Sequence, residues 1–69
     1  MSNTFSIFDT GNLIGSFSDI TIAYATLDRL ARESPETSER LLLVAFDPAG
    51  NPIDDCIPGG RLTAFPPPR

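Results

Sequence analysis

The 69-residue sequence has no histidine, no tryptophan, no lysine and no glutamine, and it has one cysteine, Cys56. Each absence excludes a chemistry. Without histidine, no Ser-His-Asp or Cys-His system is possible within the chain. Ser16, Ser18 and Ser34 therefore have no imidazole base. One cysteine forms no internal disulfide, and with no histidine beside it there is no structural zinc set. A single unpaired cysteine fits a reducing compartment, so a cytoplasmic location is expected. No run approaches the roughly 18 apolar residues of a membrane-spanning helix. Met1-Ser2-Asn3-Thr4 has neither the basic start nor the apolar stretch of a signal peptide.

Positive charge is also scarce. Five arginines stand against nine acidic residues, for a net charge of −4. Nucleic-acid binding needs a basic patch that displaces counterions from phosphates. Anionic membranes attract the same kind of patch. The expected partners are therefore neither nucleic acid nor membrane, but a second copy of the chain or a larger protein. Size points the same way. A chain of this length buries only about 60% of its unfolded surface, and burial barely exceeds ordering entropy. With no disulfide and no metal set, association is the remaining way to add stability.

What is present reads as one domain over residues 1–57 and a Pro/Gly-rich tail over residues 58–69. Thr4 to Asp9 is a strand, with Phe5, Ile7 and Phe8 as its β-favouring residues. Asp9-Thr10-Gly11-Asn12 is a tight hairpin turn, and Leu13 to Ser18 is the return strand. Ser18 and Asp19 are good helix caps. After them, Ile20, Ala23, Tyr24, Leu27, Leu30 and Ala31 recur at helical spacing. Phe17 is expected to staple against Ile22, and Asp28 to pair with Arg32 one turn on. Pro35 ends the helix, and Ser34-Pro35-Glu36 can open one further short turn.

Leu41 to Phe46 is apolar on both faces, which predicts a central strand. Asp47-Pro48-Ala49-Gly50-Asn51 is a turn. Pro52 to Ile57 is a weak edge strand, protected by Pro52 and the Asp54-Asp55 pair. In the tail, Leu62 and Phe65 could dock, and Pro66-Pro67-Pro68 favours an extended polyproline form.

The fold class that follows is α+β: a single antiparallel sheet in β-β-α-β-β order with one helix packed on one face. The helix is expected to cover Phe5, Ile7, Leu13, Phe17 and part of the 41–46 run. The other face holds Phe8, Ile14, Leu42, Val44 and Phe46. A two-layer domain cannot cover that second face by itself. Exposed apolar patches mark interfaces, so these five residues are the candidate interface.

Thr10-Gly11-Asn12-Leu13-Ile14-Gly15-Ser16-Phe17, followed by Leu43-Val44-Ala45-Phe46-Asp47 and Gly50-Asn51-Pro52-Ile53, resembles a group of small uncharacterised bacterial proteins. In these, a TGN-aliphatic-aliphatic-G-x-aromatic hairpin precedes an alanine-rich helix, a hydrophobic strand and an Asp/Gly/Asn turn. The resemblance covers about residues 5 to 55. It implies the same β-β-α-β-β fold and no assigned activity.

Few motifs carry chemistry. Asp9-Thr10-Gly11 matches the active-site triplet of retroviral-type aspartic proteases, in which two subunits each supply an Asp and share a proton. Asn12 departs from the Ala or Ser that follows in that family, and the chain is too short for the protease barrel and flap. Cys56 lacks an activating base, and Asp54 and Asp55 disfavour its thiolate. Asp47, Asn51, Asp54 and Asp55 are rich in oxygen but lack calcium-loop spacing. No catalytic, cofactor or metal residue is therefore assigned, and no cofactor is expected. The function expected is a small non-enzymatic protein-binding or regulatory module. It would act through the apolar sheet face as a homodimer or as a subunit of a larger complex. One alternative is a small acidic inhibitor or decoy, possible for a phage-related protein, which would present its carboxylates in one band. A second is an aspartic-type hydrolase through Asp9-Thr10-Gly11.

Overall fold

A computed structural model describes residues 3–63. The chain runs β1 (Thr4–Asp9), β2 (Asn12–Phe17), α1 (Ile20–Glu33), a 3-10 turn (Pro35–Arg40), β3 (Leu41–Phe46) and β4 (Pro52–Cys56). The four strands form one sheet in the order β2-β1-β3-β4, every neighbouring pair antiparallel. This is the expected α+β, β-β-α-β-β arrangement. The apolar segment Leu41–Phe46 is an inner strand, and the Pro52 strand lies at an edge.

The β1–β2 connection is a two-residue loop, with Asp9 opposite Asn12. Both loop residues have positive φ, Thr10 at 53° and Gly11 at 83°. That is the pattern of a type I′ turn, whose twist matches the strands it joins. The β3–β4 turn is organised by one carboxylate. Asp47 Oδ1 accepts from the backbone N–H groups of Ala49 (3.0 Å) and Asn51 (2.8 Å). Gly50 supplies the left-handed position, at φ 90°.

Asp19 caps α1, its carboxylate accepting from the N–H of Thr21 at 2.8 Å and of Ile22 at 3.4 Å. Two orphan donors of the first turn are thereby satisfied. The helix lays Ala23 and Leu27 into the core, with Ile20, Tyr24, Leu30 and Ala31 packed around them. Beneath lie Phe5, Ile7, Leu41, Leu43, Ala45 and Cys56. The register explains why these share a face. Phe5 pairs with Phe17 and Ala45, Ile7 with Gly15 and Leu43, and Leu43 with Cys56. Directly paired residues point to the same side of a sheet. The Phe17 ring lies over Gly15, close enough that a Cβ there would touch it at 3.4 Å, an ordinary contact.

Four expectations are corrected. Leu13 does not lie beneath the helix. A bulge between Ile7 and Phe8 places it opposite Phe8, on the far face, where it is 61% exposed. Ile14 becomes the extra residue of that bulge, with no paired partner. The Phe17–Ile22 staple is absent, because Phe17 packs towards the core while Ile22 stands on the outer side of α1, 52% exposed. Asp28 and Arg32 are not within ion-pair distance, and the ion pair among the described residues joins Arg40 to Asp9.

The packed structure also continues past residue 57. Ile57-Pro58-Gly59-Gly60 makes a turn closed by Gly60 N–H donating to the Ile57 carbonyl at 2.9 Å. Gly59 takes φ 87°, so Pro then Gly fits a type II turn. The turn returns the chain to α1, and Leu62 is buried to 1% exposure in the core. Phe65 and Pro66-Pro67-Pro68 lie outside the described residues.

Candidate functional site

The face of the sheet away from α1 is set by the same ladder. Thr4 pairs with Phe46, Ser6 with Ser16 and Val44, Phe8 with Leu13 and Leu42, and Val44 with Asp55. Of the five expected interface residues, Phe8, Leu42, Val44 and Phe46 thus fall on this outer face. Ile14 is brought to its margin, as the bulge residue on edge strand β2, 47% exposed. Leu13 joins the face instead, an apolar residue that alternation alone assigns to the other side.

Phe8 and Phe46 flank the Ser6–Val44 pair, two residues away in either direction. Their rings meet edge to face, centroids 6.5 Å apart. They lean over the pair between them, and Ser6 is buried although no helix covers it. Its hydroxyl meets the Ser16 hydroxyl at 2.9 Å. The buried Ser6 hydroxyl is thus satisfied by an exposed neighbour, which avoids the cost of a lone buried hydroxyl. Phe8, Leu42, Val44 and Phe46 are each half-buried. Asp55 is the one charged residue that the ladder places on this face among the described residues.

The other candidate groups are placed as follows. Asp9, of the Asp-Thr-Gly triplet, sits at the β1–β2 hairpin tip. Its carboxylate accepts from Thr10 Oγ1 at 2.8 Å and has Arg40 Nε at 3.8 Å. Cys56 is buried beneath α1. Burial pushes its thiol pKa up, the negative charges of Asp54 and Asp55 add to this, and Arg61 opposes it. The acidic neighbours act in the expected direction, but desolvation is the larger cause. Asp47 is held below the usual carboxylate range, chiefly by the Asn51 backbone N–H. Asp54 and Asp55 are adjacent on β4, opposite Ala45 and Val44, and so point to opposite faces. Among the described residues no group of three Cys, Asp or Glu side chains is arranged to hold a metal ion. No helix there is long and apolar enough to cross a membrane.

The acidic residues do not form one band. Asp9 lies at one end of the sheet and Asp47 at the other, Asp19 caps α1, and Asp54 and Asp55 straddle β4. The decoy alternative requires a contiguous band.

One cluster had only a faint sequence signal. Tyr24 Oη accepts the Leu62 backbone N–H at 2.9 Å. Arg61 lies 4.7 Å above the Tyr24 ring and donates to the Gly60 carbonyl at 2.8 Å. A lone aliphatic residue soon after a Pro-Gly turn was the signal available.

Comparison with protein-family models, with curated proteins and with solved structures finds no match for this chain.

Proposed function

We propose that this chain is a small non-enzymatic protein-binding module that works through the outer sheet face, with a second copy of itself as the first occupant. The observation that carries the reading is the half-buried cluster Phe8, Leu42, Val44 and Phe46, which no described element of secondary structure covers. One charged side chain, Asp55, shares that face. Contact surfaces are poor in charge and rich in aromatics at their centre. A two-layer domain leaves such a face for another molecule to cover, and two-fold dimers are the commonest soluble oligomers. The non-enzymatic part is supported by the residues themselves. Asp9 stands beside a guanidinium at a hairpin tip, Cys56 is buried with its pKa raised, and no imidazole exists.

The footprint bounds the affinity. Four strands about 4.8 Å apart and six residues long, rising about 3.3 Å each, span roughly 19 by 20 Å. That is about 400 Å² per copy, small for a specific interface, so weak association is expected. In the dimer the sheets stack, α1 lies outermost on both sides, and a cytoplasmic location suits the free thiol.

Sedimentation equilibrium over a concentration series tests this. The chain should shift from its 7.4 kDa monomer mass to twice that value, and Val44→Asp should remain monomeric while keeping its circular dichroism spectrum. A larger protein as occupant is the second outcome: the isolated chain then stays monomeric at every concentration, which contradicts the self-association reading.

A further inference from the structure

A second surface runs along the outer side of α1. Ile22, Ala25, Thr26, Arg29 and Arg32, all on this one helix, line a shallow open groove on its surface. Their spacing keeps them on one side of the helix, away from Ala23 and Leu27 in the core. The floor is apolar. Ile22 is half exposed, Ala25 is short, and Thr26 Oγ1 already donates to the Ile22 carbonyl at 2.8 Å.

One end of the groove is cationic. Arg29 and Arg32 are neighbours one helical turn apart. Among the described residues neither forms an ion pair. The other described arginines are engaged, Arg40 beside Asp9 and Arg61 over Tyr24. A chain of net charge −4 thus places two guanidiniums, without an ion pair among the described residues, at the end of an apolar strip.

We infer that this groove docks an acidic amphipathic helix of a partner protein, with carboxylates on Arg29 and Arg32 and an aliphatic side chain over Ile22 and Ala25. Charge complementarity selects the acidic partner, and guanidinium forks match carboxylates in two-point contact. The strip from residue 22 to residue 32 is about 15 Å long, enough for two to three turns of a helix packed alongside α1. Nucleic acid is a poorer fit, because two arginines are too few to displace counterions along a phosphate backbone and the floor offers no polar reader of bases. The inference is independent of how the sheet faces are covered. If they pair, the dimer presents two such grooves on opposite sides.

The test uses the full chain and a fluorescein-labelled helical peptide of Glu, Leu and Ala, about 18 residues long so that it holds a helix. Glu and Leu share one face of the peptide. Fluorescence anisotropy should show saturable binding that weakens with salt, and that drops about tenfold for Arg29→Glu/Arg32→Glu, as the loss of two rim ion pairs implies. A peptide with Lys in place of each Glu should bind that variant better than it binds the native chain. Arg29→Gln/Arg32→Gln, which removes charge without reversing it, gives a second reading of the same loss. Absence of saturation, equal binding by the variants, or tighter arginine-dependent binding of a single-stranded DNA oligonucleotide or phosphatidylserine vesicles overturns the proposal.

Discussion

Thr10 is held at φ 53°, in a region where a β-branched residue is strained. The turn geometry requires it, since a type I′ loop needs positive φ at both positions. Its hydroxyl bond to Asp9 offsets part of that strain. Thr10→Asn should therefore stabilise the fold by about 0.5–1 kcal/mol, read as a higher urea midpoint with an unchanged slope. Asp47 makes a different residue-scale argument. Its folded pKa is depressed, so its stabilisation is present above the unfolded value, about 3.9, and is lost as pH falls through the folded value. Thermal melts from pH 7 to pH 2 should thus show native stability falling more steeply in the acid range than that of Asp47→Asn. The amide oxygen of the variant can still accept from Ala49 and Asn51, so its turn should persist at low pH.

At the scale of elements, α1 was the most legible part of the sequence. Ile20, Ala23, Tyr24, Leu27, Leu30 and Ala31 repeat at the helical period, and period survives whatever surrounds it. The inner strand at Leu41–Phe46 was legible for a similar reason: a run apolar on both faces fits only an inner position. The bulge in β2 was not legible. Alternation assigns Leu13 and Ile14 by parity, and one extra residue reverses the parity of everything on its far side. Nothing local at Leu13-Ile14 marks that residue; it shows only in the pairing with Phe8. The Asp28–Arg32 pair failed because i,i+4 spacing permits contact without enforcing it on an exposed surface, where such pairs are weak. The Leu62 clasp depends on a contact 38 residues away, which no local pattern encodes. Tyr24→Phe should cost about 1 kcal/mol by leaving the Leu62 N–H without its acceptor. Leu62→Ala should cost more, about 2–4 kcal/mol, by opening a cavity under α1. Chemical denaturation of the two variants checks both the values and their order.

At the scale of the whole molecule, the two faces of the sheet are unequal. One is sealed by α1 and by Leu62. Among the described residues the other is covered only by its own side chains, with the Phe8 and Phe46 rings leaning over Ser6 and Val44. That partial self-cover accounts for half-buried rather than fully exposed aromatics. The scarcity of staples noted in the sequence therefore has a location. It is the outer face, which the proposed second copy would cover.

The most direct measurement is an isotope-filtered nuclear Overhauser experiment on an equimolar mixture of ¹³C-labelled and unlabelled chain. Pairing of two copies through the outer face should give cross-peaks between chains from the Val44 and Leu42 methyls to the Phe8 or Phe46 rings. A concentrated sample with no such cross-peaks, or with cross-peaks confined to α1 or to the β2 edge at Ile14, would contradict it.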